Sequence, residues 1–347
     1  MNPPIGNTMK ASRIISGSNG GRLEIHDIPA PAPGPGQVLV RVMASGLNRG
    51  EIKQVRETKT GAPKTTGVEF AGVVEALGTG VEDLRLGQHV AGHGPGGQAE
   101  LVVAAARAVV PVPDTLPWAE AAAFLNVFVT AHDALVVNGE LRAGETVLVN
   151  AASSGIGLAA IQIAALMGAS KVFATSRSAA KVARLRDFGV TNAIDVSAHD
   201  QLEAVMAATE GRGVDIIIDS LGAGVFETNL KSLAVKGRLV NIGRMAGSMT
   251  QFDMTELWLR RLKLIGVTFR TRSEEERLQC IEAAARDLGP LLAAGRIQLP
   301  VDRVYPLERV AEAHAYMETD KHFGKIVLAV DSSIPVTAPA ATSTATA

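Results

Sequence analysis

The stretch Ser153-Ser154-Gly155-Ile156-Gly157 combines the residue types and the spacing that most directly suggest chemistry in this chain. It follows an apolar run at residues 146–150, typical of a buried strand, and a helical pattern opens at Ile156. The glycines leave room for a pyrophosphate, and a helix N-terminus directs N–H groups and a positive dipole at it. Ser153 and Ser154 replace the usual first glycine and can donate hydroxyl hydrogen bonds. This context predicts a dinucleotide-binding turn, the alternative being a glycine-rich turn without a ligand.

The end of the second predicted strand, Thr175-Ser176-Arg177-Ser178, indicates which dinucleotide binds. NAD-binding versions of such a unit carry Asp or Glu about 20 residues beyond the glycines, where the carboxylate holds the ribose 2′-hydroxyl. No carboxylate stands here, and Ser176, Arg177 and Lys181 instead offer a hydroxyl, a guanidinium and an ammonium to a 2′-phosphate. We therefore predict NADPH as the cofactor. The alternative is that Arg177 and Lys181 are solvated charges at the start of a helix.

Strands and helices alternate regularly around this turn, from Glu145 to about Phe269. Because parallel neighbours need a crossover, which is usually a helix, the alternation predicts a doubly wound parallel six-stranded sheet of the Rossmann type. The strands are predicted at residues 146–150, 171–175, 193–196, 214–219, 238–242 and 262–269, with helices at 156–166, 181–188, 202–209 and 226–233.

The segments on either side have a different character. Between Met9 and Pro113, short β-branched runs alternate with Gly and Pro turns, which is typical of an irregular β-barrel-like domain. Residues 118–137 are apolar and predicted to be mostly helical, and residues 273–330 are expected to fold back onto the N-terminal domain. The predicted α/β organisation is a tail at 1–8, a β-rich domain at 9–125 plus 270–330, the nucleotide-binding domain at 126–269, and a disordered tail at 331–347.

Composition excludes several classes of function. The 347 residues carry a formal net charge of −1 and are 47% hydrophobic, so nucleic acid and anionic membranes are not expected as partners. The single cysteine, Cys280, cannot form an internal disulfide, and we interpret it as a small buried side chain, with a nucleophile as the alternative. No run reaches the roughly 18 uninterrupted apolar residues of a membrane span, and the N-terminus lacks a secretory signal. These features predict a cytoplasmic protein.

Four further motifs are spread along nearly the whole chain between the tails. They are Ala44-Ser45-Gly46-Leu47-Asn48, Gly67-Val68-Glu69-Phe70-Ala71-Gly72-Val73-Val74 with Gly87-Gln88-His89-Val90, the segment from Gly144-Glu145 through Gln162, and Phe323-Gly324-Lys325-Ile326-Val327-Leu328. Together they resemble the medium-chain dehydrogenase/reductase superfamily, in its zinc-free quinone oxidoreductase (zeta-crystallin-like) branch. The third motif departs from the family pattern, with Ser154 for a glycine and Ala165 for a basic residue. The resemblance implies a GroES-like β-barrel catalytic domain beside the Rossmann domain.

The zinc-binding members of the superfamily need ligands that this sequence lacks. They carry a thiolate near position 46, a histidine beside Glu69 and a second thiolate before the nucleotide domain, whereas this chain has Gly46, Val68 and no cysteine there. A lone carboxylate does not make a zinc site. His89 and His93 lie nearby in a glycine-rich region and are interpreted as structural or surface residues. We predict no metal.

The resemblance also implies a set of site residues. Asn48 would orient the substrate or the nicotinamide through its amide, and Lys53 stands where many relatives carry a proton-donating tyrosine. The alternative for Lys53 is a solvated helix face shared with Glu51, Arg56 and Glu57, in which case water supplies the proton. The cofactor residues implied are Asn48, Thr130, Ser153, Ser154, Gly155, Ile156, Gly157, Ser176, Arg177, Lys181, Leu221, Gly222, Ile242, Gly243, Arg244, Phe269, Arg270, Phe323, Gly324 and Lys325.

These features predict an NADPH-dependent oxidoreductase that passes hydride to a quinone or an α,β-unsaturated carbonyl without a metal. One alternative is a non-catalytic NADPH-binding protein, and another is an enoyl or alkenal double-bond reductase with a narrow substrate. A metal-dependent alcohol dehydrogenase would require tightly bound zinc. The resemblance also implies a homodimer formed through the edge strand of the nucleotide domain.

Overall fold

A computed structural model of the protein describes residues 7–339, which form two compact units. Within these residues, one unit comprises 7–126 and 299–339, and the other comprises 127–298. The strands are β1 (Thr8–Ile15), β2 (Arg22–Pro29), β3 (Gln37–Gly46), β4 (Lys64–Thr65), β5 (Glu69–Leu77), β6 (His89–His93), β7 (Leu101–Ala105), β8 (Val109–Pro111), β9 (Thr146–Val149), β10 (Lys171–Ser176), β11 (Asn192–Asp195), β12 (Val214–Asp219), β13 (Leu233–Asn241), β14 (Lys263–Gly266), β15 (Val301–Pro306) and β16 (Lys325–Ala329). The α-helices are α1 (Arg49–Glu57), α2 (Trp118–Ala121), α3 (Leu125–His132), α4 (Gly155–Leu166), α5 (Ala179–Leu185), α6 (Gln201–Ala208), α7 (Phe226–Ser232), α8 (Met254–Leu259), α9 (Glu274–Ala293) and α10 (Val310–Glu318).

The second unit is built on a parallel six-stranded sheet with the order β11-β10-β9-β12-β13-β14. The chain starts at the centre of the sheet with β9, moves to one edge, and then returns past β9 to the other edge, which is the doubly wound arrangement. The predicted Rossmann-type sheet is therefore confirmed. Two strand boundaries differ from the prediction by more than one residue, because β13 already begins at Leu233 and β14 ends at Gly266.

Apolar strands and helix faces form the core of this unit. Leu148, Phe173, Ile217 and Leu239 come from four different strands and lie together in one cluster of buried side chains. Strands of a parallel sheet that is covered on both faces are expected to be almost continuously apolar, as β9 and β12 are. Each large side chain buried in this way stabilises the fold by about 1.5–3 kcal/mol.

The first unit contains two sheets. Strands β2, β1 and β4 form the smaller one, and the larger one has the order β15-β16-β3-β5-β6-β8, with β7 also paired to β3. Strand β16 runs antiparallel to β3, so that Val327 lies opposite Gly46 and Leu328 opposite Ser45. The expected return of the C-terminal segment onto the N-terminal domain is thus confirmed for β15 and β16.

Residues 270–298 lie in the second unit, so the prediction that grouped 270–330 with the N-terminal domain is wrong for this stretch. Helix α9 buries an apolar face that includes Ile281 and Leu288. A hydrogen bond and an ion pair also hold the segment to the rest of the second unit: His132 Nε2 lies 2.8 Å from Asp287 Oδ2, and Arg272 Nη2 lies 2.6 Å from Asp133 Oδ2. Sequence periodicity marks a helix but does not say which core receives its apolar face.

Cys280 lies on the inner face of α9. Its side chain is buried, and this burial raises the pKa of the thiol to about 11, so the thiol keeps its proton at neutral pH. Because the thiolate is the nucleophilic form, the environment supports the interpretation of a buried structural side chain.

Parts of the two predicted tails belong to the fold. Strand β1 begins at Thr8, and the carbonyl of Asn7 accepts a hydrogen bond from Ala30 N. At the other end, Ile334 is buried, and the hydroxyl of Thr337 accepts a hydrogen bond of 2.9 Å from Val304 N. The predicted tails are therefore too long, while residues 1–6 and 340–347 lie outside the described residues.

One helical stretch among residues 7–339, Trp118–Asn138, is long and apolar enough by composition to cross a membrane. It is interrupted by charged residues such as Glu120 and Asp133, and 72% of its most apolar window is buried inside the protein. Burial of this extent is what a helix packed into a protein core shows. The last turns of the stretch, Asp133–Asn138, form a π-helix.

Candidate functional site

The predicted dinucleotide turn connects β9 to α4. Ser154 is the N-cap of α4, and its hydroxyl accepts a hydrogen bond of 3.1 Å from Gly157 N. A Cβ atom at Gly157 would lie 2.6 Å from Ala152 O, so only glycine allows the helix to start this close to the strand end. The predicted residues 153–156 are partly exposed, and the first N–H groups of a helix lack intrahelical partners. The turn therefore fits a pyrophosphate, as the sequence predicts.

The carboxyl end of β10 carries the residues predicted to select the cofactor. Ser176 is the last residue of the strand and is buried, Arg177 follows it and is exposed, and Lys181 lies partly exposed on α5. Hydroxyl, guanidinium and ammonium groups thus stand at the position where NAD-binding units place a carboxylate. This donor set fits a phosphate better than it fits a ribose hydroxyl.

The ends of β12 and β13 are joined by a buried carboxylate. Asp219 Oδ1 accepts hydrogen bonds from Leu221 N (2.8 Å) and Gly222 N (3.2 Å), while its Oδ2 accepts one from Asn241 Nδ2 (3.0 Å). Burial raises the pKa of Asp219. Backbone hydrogen bonds then link the two following loops, including Ala246 N to Leu221 O at 2.7 Å. Five predicted cofactor residues are brought to this one edge: Leu221, Gly222, Ile242, Gly243 and Arg244.

The remaining cofactor candidates are divided between the units. Thr130 lies partly exposed on α3, and Phe269 and Arg270 follow β14 with Arg270 exposed, all within the second unit. Phe323, Gly324 and Lys325 lie in the first unit, where Phe323 and Lys325 are buried.

A buried polar network in the first unit surrounds Asn48. Glu69 Oε1 accepts from the ammonium of Lys325 and, at 3.0 Å, from Asn48 Nδ2. Lys325 Nζ also donates to Leu47 O (2.8 Å) and to Asn48 Oδ1 (2.9 Å). Asn126 Nδ2 donates to the same Asn48 oxygen at 2.7 Å, and Asn126 N donates to Glu69 Oε2 at 3.0 Å. Strands β3, β5 and β16 and the start of helix α3 therefore position one carboxylate, one ammonium and two amides as a connected group.

Two predicted site residues, Asn48 and Lys325, form their side-chain hydrogen bonds within this network. Asn48 Nδ2 donates to Glu69 and, at 3.3 Å, to Gly46 O, so both amide hydrogens already have protein acceptors. The three hydrogens of the Lys325 ammonium likewise match its three protein acceptors. The contacts expected of Asn48 with the substrate or the nicotinamide, and of Lys325 with the cofactor, stay predictions. Both side chains act within the network.

Lys53 lies away from the network. It is on the outer face of α1 with a side chain that is 44% exposed, and its Nζ is 3.4 Å from Glu57 Oε1 one helical turn later. This placement favours the alternative of a solvated helix face.

Glu51, which the same alternative placed on the solvated face, is instead buried. Its Oε2 accepts from Asn48 N at 3.2 Å and from Gln98 Nε2 at 3.1 Å. Gln98 in turn accepts from the hydroxyl of Thr66. The spacing Asn48-x-x-Glu51 is a capping-box signature that the sequence could have revealed, but the burial of the box could not be read from it.

His93 joins the network at its partly exposed end. Its Nε2 lies 3.1 Å from Asn126 Oδ1, and since that oxygen can only accept, Nε2 carries the hydrogen. The sequence interpretation of His93 as structural or surface-lying missed this connection. Asn126 was missed as well, although a polar residue within the apolar run 118–137 was a usable signal.

The residues around Glu69 do not fit a zinc ion. A Cβ atom at Gly46 would collide with Glu69 Oε1 and with Ala122 O, so no side chain can reach inward from this position. Glu69 is already paired with a cationic ammonium, which would repel a metal. Among residues 7–339, no group of three or more His, Cys, Asp or Glu side chains could hold a metal ion.

Comparisons with known proteins show the family of this chain. A family model described as "Zinc-binding dehydrogenase" matches residues 155–285, and one described as "Alcohol dehydrogenase GroES-like domain" matches residues 34–114. The chain is 32% identical over 338 residues to the synaptic vesicle membrane protein VAT-1 homolog of Rattus norvegicus, which covers 91% of this chain and 83% of that protein.

Solved structures show the same relationship. A quinone oxidoreductase of Pseudomonas syringae pv. Tomato DC3000 is 27% identical, with a TM-score of 0.82 and coverage of 92% of this chain and 99% of that one. The mycobacterial protein Rv1454c, solved in complex with NADPH, is 29% identical, with a TM-score of 0.81 and the same coverage. The predicted GroES-like domain is thereby confirmed beside the parallel sheet. The chain belongs to the medium-chain dehydrogenase/reductase superfamily, in the zinc-free quinone oxidoreductase branch, and it is an oxidoreductase of a family that binds nicotinamide cofactors.

Proposed function

We propose that this oxidoreductase uses NADPH to reduce a quinone or an α,β-unsaturated carbonyl without a metal ion. The observation that carries the proposal is the ion-paired network of Lys325, Glu69 and Asn48, which stands where the zinc-binding members need metal ligands. A simple alcohol requires a Lewis acid to stabilise its alkoxide, whereas these acceptors are electrophilic before they bind. Hydrogen-bond donors and a proton are sufficient for the charge that develops on their oxygen.

The cofactor half of the proposal rests on the second unit. Bound NADPH supplies a hydride to an electrophilic carbon of the acceptor. The turn at residues 153–157 binds the pyrophosphate through backbone N–H groups, and Ser176, Arg177 and Lys181 bind the 2′-phosphate. The solved complex of Rv1454c with NADPH supports this choice of cofactor by similarity.

The proton that accompanies the hydride comes from water in this proposal. The surface ion pair of Lys53 with Glu57 supports this alternative over a lysine donor. Asn48, Lys325 and Glu69 contribute by holding their mutual geometry and by excluding water from the interior of the first unit, since Glu69 and Lys325 are almost fully buried.

Oxidation of NADPH in the presence of a panel of quinones and enones tests the proposal. Turnover with quinones or with several enones supports it, and turnover with only one enoyl or alkenal substrate would indicate a narrow double-bond reductase instead. Tight binding of NADPH without turnover on any acceptor would contradict it, and the protein would then be a non-catalytic NADPH-binding protein. The variant Gly157→Ala, in which the added methyl group obstructs the turn, gives the background rate of NADPH oxidation.

We further propose that the protein is a cytoplasmic homodimer that does not bind nucleic acid or membranes. Strand β14 is one edge of the parallel sheet within the described residues. Trp258 and Leu259 on the preceding helix α8 expose 73% and 62% of their surface, and Leu264 within β14 exposes 40%. Unpaired strand edges and apolar patches of this kind are typical sites of self-association.

A further inference from the structure

Within residues 7–339, two helices begin with a capping box, and the two glutamates of these boxes lie in opposite environments. At α9, Glu276 is exposed and accepts from Ser273 N at 2.7 Å, and this hydrogen bond lowers the pKa of its carboxyl group. At α1, Glu51 makes the same kind of bond to Asn48 N but is only 3% exposed. An exposed, ionised glutamate such as Glu276 is sufficient to cap a helix. The capping role of Glu51 therefore does not explain why its carboxyl group is buried.

The hydrogen bonds of Glu51 are confined to one oxygen. Both N–H donors, from Asn48 and from Gln98, point at Oε2, whereas Oε1 is buried with no partner among the described residues. A buried, ionised carboxylate oxygen without a donor is costly. A proton on Oε1 removes the charge and leaves both bonds to Oε2 intact.

The charged groups that face Glu51 also favour a protonated Glu51 carboxyl group. They are Glu69 on β5 and Lys325 on β16, and Lys325 is bonded to Glu69. The cluster thus contains two carboxyl groups and one cation, which balances only one of them. The other charged residues of α1 pair at the surface: Arg49 with Asp320, Lys53 with Glu57, and Arg56 with Glu318. Burial of the carboxyl group, together with the nearby charge of Glu69, raises the pKa of Glu51 to about 7.

We propose that Glu51 is a positioning residue that holds a proton on Oε1 in the working form of the protein. In that form, Glu69 and Lys325 neutralise each other, and the Asn48 backbone is held by a neutral acid. Loss of the proton places a second, uncompensated carboxylate beside Glu69 and loosens the network around Asn48. The effect on turnover rests on the proposed reductase function, whereas the protonation of Glu51 does not.

The pH dependence of turnover tests the effect on catalysis. For the wild type, the rate of NADPH-dependent reduction is expected to fall about ten-fold per pH unit above about 7, as for a single ionisation. Glu51→Gln, which imitates the protonated acid, should keep the rate nearly constant over the same range. The matched control Glu276→Gln should follow the wild type. The same decline in Glu51→Gln as in the wild type would overturn the proposal.

Thermal unfolding tests the protonation without any substrate. Because the pKa is raised on folding, the wild type should lose stability relative to Glu51→Gln as pH rises from about 4.5 to about 7. The pKa of Glu276 is shifted in the opposite direction and Glu276→Gln keeps Glu51, so the wild type should lose no stability relative to Glu276→Gln over the same pH range. Infrared spectroscopy of the wild type should also detect a protonated carboxyl group that disappears near pH 7, a readout that does not depend on the folding of any variant. Absence of that band at pH 6 would contradict the proposal even if no acceptor is ever reduced.

Discussion

Asn48 is the residue at which sequence and structure differ most instructively. Its position at the end of Ala44-Ser45-Gly46-Leu47-Asn48 marked it as a site residue, and the structure does place it in a polar network. Its partners Glu69 and Lys325, however, lie 21 and 277 residues further along the chain. Whether an amide is available to a ligand depends on such distant partners, which the local motif does not contain.

The two lysines predicted to act in the site should differ sharply in their effect on stability. Lys325→Met removes the cation from a buried pair and leaves Glu69 ionised without compensation, which typically costs about 3–5 kcal/mol. Lys53→Met changes a surface ion pair and should alter the free energy of unfolding by no more than about 0.5 kcal/mol. Urea unfolding of both variants measures the difference. Similar stabilities would show that the network does not contribute as described.

The charges at the end of β10 should determine the preference between cofactors. A double variant, Arg177→Ser with Lys181→Ser, loses the groups proposed to bind the 2′-phosphate, so its KM for NADPH should rise at least about ten-fold, as expected for the loss of one charge-assisted hydrogen bond. Its KM for NADH should stay unchanged. Arg184→Ser, on the exposed side of the same helix, is the control. Equal KM values for the two cofactors in the wild type would contradict this assignment.

At the scale of elements, the most regular patterns were predicted best. All six strands of the parallel sheet were predicted from the alternation of apolar runs with helical stretches, and four of them, β9, β10, β12 and β13, are largely buried. The exceptions are elements whose placement depends on contacts with distant parts of the chain. Helix α9 was found but assigned to the wrong unit, because its partners Asp133 and His132 are more than a hundred residues earlier in the chain.

Two glycines that lie in helices should respond oppositely to the same substitution. Gly157→Ala brings a Cβ atom to 2.6 Å from Ala152 O, so it should displace the start of α4 and abolish NADPH binding. Gly289→Ala, in α9, meets open space and should stabilise the protein by about 0.5–1 kcal/mol, since alanine is the better helix former. Calorimetric titration with NADPH and thermal unfolding measure both effects. Unimpaired NADPH binding by Gly157→Ala would show that the turn is not the binding site.

At the scale of the whole molecule, the family and the two-domain organisation were recognisable from motifs spread along the sequence. The pairing of β16 with β3 explains why the last motif is part of the same pattern as the first, since it brings Lys325 to Asn48 and Glu69. The boundaries were less predictable. The lack of an amphipathic period after Asp331 suggested a disordered tail, yet Ile334 is buried, and Thr337, Ala338 and Pro339 form hydrogen bonds with the fold.

The proposed homodimer makes a prediction at this scale. The double variant Trp258→Glu with Leu264→Lys places charges beside the edge strand β14 and should convert a dimer to a monomer. Leu86→Lys, at a residue of the first unit that is 64% exposed, should leave the dimer intact. Light scattering coupled to size-exclusion chromatography measures the mass. A monomeric wild type, or a double variant that remains dimeric, would contradict the proposed interface.

The central claim, metal-free reduction of an activated acceptor, is tested most directly by one combined measurement. The purified protein is treated with a chelator, its zinc content is determined by elemental analysis, and the same sample is assayed for NADPH oxidation with quinones and enones. We predict substoichiometric zinc and undiminished turnover, because the ion-paired Glu69 and the side-chain-free Gly46 provide no metal site. One zinc ion per chain, with activity that is lost on chelation and restored by zinc, would contradict the claim.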